Sequence, residues 1–194
     1  MDKSFRIVLV GAGNLATNLA HARHTHGFTI EQIYSRTEAS AERLAKGVGA
    51  TYTTSLTEVL LGRDLYIVSL RDDVLLELIP QIMQGKEKSL VVHTAGSVPM
   101  SALAEYGERI GVLYPMQTFS KARLVSFDTI PFFVETNHVE DTVWLKAIAS
   151  ELSTKVFEAD SSQRKKPHLA AVFACNFANH MYTLSADILD KYGL

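Results

Sequence analysis

Cysteine is nearly missing from this chain: Cys175 stands alone among 194 residues, so no internal disulfide can form and stability must come from a packed core. Long hydrophobic runs are missing as well. The longest, around Leu169 to Ala178, is broken by Asn176 and followed by Asn179 and His180, and it falls short of the ~20 apolar residues that a membrane-spanning helix needs. Neither sign of charge dominates, with 19 basic against 21 acidic residues and a formal net charge of -2. That balance provides no field for nucleic acid or an anionic membrane surface, so neither is expected as a partner. The opening residues lack the basic, apolar, small-residue order of a secretion signal, which leads us to expect a reduced, cytoplasmic protein.

What is present is apolar material, 47% of the chain, arranged in two alternating patterns. Short β-branched runs occur at Phe5–Val10, Glu31–Tyr34, Ala50–Tyr52, Asp64–Leu70, Ser89–His93 and Arg109–Tyr114, and they read as strands buried on both faces. Helical spacing separates them at Asn14–His26, Glu38–Lys46, Ser55–Leu61, Val74–Met83 and Ser101–Glu105. Strands alternating with helices predict an α/β fold with a doubly wound parallel sheet. After a polar loop from Pro115 to Thr129, a strand at Pro131–Glu135, a helix at Val139–Leu152 and a strand at Lys155–Glu158 look like additions to the sheet edge. Ser161 or Ser162 is placed to cap a helix, with Pro167 admissible in its first turn, and one long apolar helix is expected over His168–Leu189 with Gly193 closing it. This predicts a nucleotide-binding domain over 1–160 and the start of a helical domain over 161–194.

The strongest chemical signal is Gly11-Ala12-Gly13-Asn14-Leu15-Ala16, a GxGxxA sequence directly after a strand and directly before a helix. Gly11 permits the tight turn, Gly13 lets backbone approach a diphosphate, Ala16 lets helix and strand pack closely, and the helix N-terminus faces the anion. The second strand ends at Ser35-Arg36-Thr37, where folds that take NAD carry an acid for the ribose 2′-hydroxyl. A guanidinium and hydroxyls there suit a 2′-phosphate, so the expected cofactor is NADP in a Rossmann fold.

Ligands of doubly wound sheets lie across the carboxyl ends of the strands. Residues Ser69–Asp73, His93–Ser97 and Tyr114–Thr118 should therefore line the site, with Leu70 and Arg71 beside the ribose and phosphates and Thr94-Ala95-Gly96 against the nicotinamide. At 100° per residue, His168, Val172, Cys175, Asn176 and Asn179 form one stripe of the last helix with His180 on its flank, which makes His168, Asn176 and His180 the candidate catalytic residues. His168 and Asn176 are separated by about 12 Å along a helix axis at ~1.5 Å per residue, so they cannot serve one substrate atom. His93 reads as a buried strand-end histidine or a catalytic one, and Cys175 as a small core residue. Lys121 and Arg123 could hold a substrate carboxylate or simply keep their loop solvated. His21, His24 and His26 lack a carboxylate partner, so no metal site is expected.

Together with Val92-His93-Thr94-Ala95-Gly96-Ser97-Val98-Pro99, Tyr114-Pro115-Met116-Gln117-Thr118-Phe119-Ser120-Lys121 and the segment His168 to Phe177, these motifs resemble a family of Rossmann-like NADP-binding proteins with a C-terminal helical domain of unknown function. That family is similar to pyrroline-carboxylate reductase, deazaflavin-dependent NADP reductase and the 6-phosphogluconate dehydrogenase group. The resemblance implies NADP binding, an oxidoreductase acting on a small-molecule substrate, and a homodimer formed through the helical domain; relatives continue beyond the position of Leu194. Several dehydrogenases of the wider group carry a Lys-x-x-x-Asn pair on the first interdomain helix, and here the matching positions are Val172 and Asn176. Two readings stay open: hydride transfer between nicotinamide and a small carbonyl, imine or hydroxyl compound, or a non-catalytic NADP(H) sensor that dimerises.

Overall fold

The computed structural model of the chain describes residues 5–193. Strands β1 (Arg6–Val10), β2 (Thr29–Tyr34), β3 (Thr51–Thr53), β4 (Leu65–Val68), β5 (Leu90–His93), β6 (Arg109–Pro115), β7 (Phe132–Thr136) and β8 (Val156–Glu158) form one sheet in the order β3-β2-β1-β4-β5-β6-β7-β8. The first six strands are parallel. Their side chains are apolar on both faces because both faces are covered. Helices α1 (Asn14–Thr25), α2 (Glu38–Val48) and α4 (Val139–Ser150) place Leu19, Leu44 and Leu145 on one face, while α3 (Asp72–Met83) packs Leu75 and Ile79 on the other. The chain order reverses between β1 and β4, and this switch point opens a crevice at their carboxyl ends.

The doubly wound parallel sheet is present, and its appended edge is antiparallel at one seam, because residues 116–131 return from β6 as a loop without a crossover helix and β7 pairs antiparallel to β6. Two expectations change. The helices expected at Ser55–Leu61 and Ser101–Glu105 are single 3₁₀ turns at Leu56–Glu58 and Met100–Leu103. In the first, the Leu60 N–H donates to Gln32 Oε1 and its carbonyl accepts from the Tyr66 hydroxyl, so side chains capture the groups that another helical turn would use. In the second, the amides of Ala102, Ala104 and Tyr106 all bond three residues back.

The last helix also begins earlier than expected. Asp160, not Ser161 or Ser162, caps α5 (Ser161–Ala171): its side chain accepts from the Gln163 amide at 2.7 Å, and the Gln163 side chain accepts from the Asp160 amide at 2.9 Å. Pro167 consequently falls in the second turn. The helix then runs through a π segment at Val172–Phe177 into α6 (Ala178–Lys191), with Gly193 just past its end. Among the described residues no helix is long and apolar enough to cross a membrane.

Candidate functional site

The site begins where β1 ends. Gly11 has φ of +125°, and a Cβ there would stand 2.2 Å from the Ser69 carbonyl oxygen, so only glycine lets the chain turn between β1 and β4. The Gly11 amide donates to the Tyr34 carbonyl at 2.8 Å, which ties the turn to the end of β2. Helix α1 starts immediately afterwards with no side-chain cap and no acidic residue in its first turn, leaving its amides open to an anion. A Cβ on Gly13 would meet no protein atom within 4 Å, so its bare backbone borders open space. Asn14 and Leu15 open α1, and Ala16 is fully buried against the sheet.

Gly11, Ala12, Gly13, Ser35, Arg36, Thr37, Leu70 and Arg71 line one cavity of about 210 Å³. Arg36 is exposed, and among the described residues no carboxylate pairs with it; Arg71 is held to Asp73 at 2.8 Å. An uncapped helix end, a bare glycine and a free guanidinium one strand over fit a phosphorylated dinucleotide.

A second cavity, of about 610 Å³, lies between the loop after β6 and the α5–π face. Small side chains, Ala170, Ala171 and Ala174, leave the volume on the helix side, while Tyr114, Met116, Gln117 and Thr118 form the other wall. Tyr114 stacks on Phe133, with centroids 6.1 Å apart, and its hydroxyl is 2.9 Å from His168 Nδ1. This pair exists because residue 96 is glycine. A Cβ there would lie 2.5 Å from His168 Nδ1 and 2.7 Å from Tyr114 Cζ. Burial, reinforced by the nearby Asp72 carboxylate, pushes the Tyr114 phenol up to about 12, so the group stays protonated and able to donate. Asp72 itself accepts a hydrogen bond from Ser97.

Beneath Thr94 and Ala95, His93 is fully buried; its Nδ1 accepts from the Ala95 amide at 3.2 Å, while Nε2 has no hydrogen-bond partner among the described residues. Burial, with the like charge of Arg164 added, pulls its pKa down to about 3, so the ring is neutral. Arg164, 1% exposed, ion-pairs with Glu135 on β7 and donates to the Val98 carbonyl at 2.8 Å. Through that pair and the Ser161–Glu135 hydrogen bonds, α5 is bolted to the sheet.

His168, Cys175 and Asn176 line the second cavity, but His180 does not, and among the described residues no hydrogen bond joins Asn176 to His180. The π segment rotates the helix off the 100° spacing on which that stripe was drawn. Cys175 is exposed, not a core residue. Lys121 lines a separate cavity with His21 and Arg43, and Arg123 is exposed. Among the described residues no group of three or more potential ligands could hold a metal. Tyr114 and Asp72 fall within the stretches that the strand ends place along the site, whereas Glu135 and Arg164 are site-building residues that sequence reasoning missed. Tyr114, next to last in β6, sits at the carboxyl edge of the sheet as expected; the Glu135–Arg164 pair joins residues with no local signal linking them.

Residues 6–96 match the family described as NADP oxidoreductase, coenzyme F420-dependent, and residues 130–194 match a domain of unknown function, DUF2520. No curated protein matches the chain. Among solved structures, a candidate NADP oxidoreductase from Bacteroides fragilis is 57% identical with a TM-score of 0.93; the match covers 99% of this chain and 74% of that one. A Thermotoga maritima protein is 25% identical with a TM-score of 0.75, over 97% of this chain and 71% of that one. Plasmodium falciparum pyrroline carboxylate reductase with NADP bound shares the fold at 16% identity and a TM-score of 0.69, over 100% of this chain and 72% of that one. The chain belongs to the NADP oxidoreductase family in which an F420-dependent-type Rossmann domain is joined to a DUF2520 domain.

Proposed function

We propose that this chain is an NADP-dependent oxidoreductase acting on a small carbonyl, imine or hydroxyl compound held in the cavity between β6 and α5. The carrying observation is the Tyr114–His168 hydrogen bond over Gly96, at the edge of the sheet where the nicotinamide end of a dinucleotide gripped at Gly11–Ala16 would arrive. Gly11, Ala12, Gly13 and the first turn of α1 would hold the diphosphate, and Ser35, Arg36 and Thr37 the 2′-phosphate. Leu70, Arg71, Thr94, Ala95 and Gly96 would flank the ribose and nicotinamide. NADP supplies the hydride chemistry when bound. The chain's own part is to hold a proton at the Tyr114 hydroxyl, beside His168, for the heteroatom of the substrate. Asn176 carries the polar contact farther along the helix, and His180, outside the cavity, has no part in it.

In this reading residues 1–160 form the nucleotide domain and 161–194 open the helical one, in a protein working in a reducing cytoplasm. The exposed apolar side chains Leu169, Phe173, Phe177, Met181 and Ile188 support pairing of two copies through that helix. Calorimetry with both cofactors tests the assignment. NADPH is expected to bind at least ~10-fold more tightly than NADH, a difference of about 1.4 kcal/mol, and Arg36→Ala should erase most of that gap. Equal affinities in the unaltered protein would sink the NADP assignment, and tight binding without turnover across carbonyls and imines would return the chain to a sensing role.

A further inference from the structure

Among the described residues, the cavity beside Tyr114 is built mainly of apolar side chains. Among the described residues no lysine, arginine, aspartate or glutamate lines it; its polar groups are the Tyr114 hydroxyl, His168, Gln117, Thr118 and Asn176. The basic residues that a substrate carboxylate would seek are engaged or placed elsewhere. Arg164 is buried and committed to Glu135 and the Val98 carbonyl. Lys121 faces a different cavity, and Arg123, exposed on the loop, is not among the residues lining this one. The ionised group whose field reaches the Tyr114 hydroxyl most strongly is Asp72, which is negative. An anion enclosed among alanines, a valine and a proline would lose its water without gaining a cation, and would meet a like charge at the reacting end.

Resting on the reading above, we infer that the cavity takes an uncharged, largely apolar carbonyl or imine compound, its heteroatom against the Tyr114 hydroxyl, and excludes carboxylate substrates. A volume of about 610 Å³ admits a ring-sized molecule with substituents.

Benzamide and benzoate, alike in shape and different in charge, are the probes. Each is titrated calorimetrically into the protein, free and saturated with NADP. Benzamide is expected to bind at least ~10-fold more tightly than benzoate. Tyr114→Phe should weaken benzamide about fivefold without changing NADP affinity, and Gln117→Arg, on an exposed position, should raise benzoate affinity about tenfold. Benzoate binding as tightly as benzamide, or neither probe binding at millimolar concentration, overturns the inference. Failure of NADP to bind in the same cell would sink the functional reading instead, and the benzamide-to-benzoate ratio on the free protein would still decide this one.

Discussion

The chain up to Arg164 and the chain after it are both rich in large apolar residues, yet they end in opposite environments. The four side chains of β4 and the four of β5 are all buried, whereas no described residue beyond Arg164 is, and Phe173 is 62% and Tyr182 76% exposed. Apolar content alone therefore says little about burial. What matters is whether a second layer exists to receive the apolar face, and the sheet has two such layers while α6 has none among the described residues.

The junction between these regions is where the contrast can be broken most strongly. Glu135→Ala would strand the buried Arg164 guanidinium, and removal of one partner of such a pair is expected to cost roughly 3–5 kcal/mol. The double change Glu135→Gln with Arg164→Met should recover most of that loss in urea unfolding. If Glu135→Ala proves neutral, the pair does not fasten α5 to the sheet.

A smaller effect sharpens the buried side of the comparison. His93 is held at about 3 in the folded chain, below the ~6.5 of a free imidazole, so the unfolded chain takes up its proton first as pH falls. This contribution to stability is complete above about pH 6.5 and is lost toward pH 3, at up to ~1.4 kcal/mol per unit. His93→Leu should flatten the slope of unfolding free energy between about pH 7 and about pH 5. An unchanged slope would mean that another group sets it.

The smallest effect belongs to the exposed side. Tyr182→Ser should change unfolding free energy by less than ~0.5 kcal/mol, since this side chain, outside the apolar set proposed to pair two copies, faces solvent. A larger loss, measured by urea unfolding, would show that α6 packs on something.

The parallel core was legible because a continuous, β-branched apolar run ending at Gly11 and followed by a helix has few other solutions, and the same holds for the residues converging on the Gly11–Arg36 cavity. Element ends were less so. Asp160 captured the cap expected of Ser161 or Ser162, and Gln32 with Tyr66 stopped the helix expected at Ser55–Leu61; both outcomes depend on side chains whose reach cannot be counted along the chain. The π segment escaped notice for a related reason: one widened turn leaves composition unchanged while re-aiming every later side chain, which is why His180 drops away from the cavity while Asn176 stays.

Gly96 has a consequence for how this protein can vary. The strand end and the helix touch through a void no larger than a methyl group, filled from opposite sides by a phenol and an imidazole. Any residue other than glycine would wedge these rings apart while leaving the turn at Gly11–Gly13, on another strand end, in place. A descendant carrying even alanine there would be expected to keep its hold on the diphosphate and lose its chemistry.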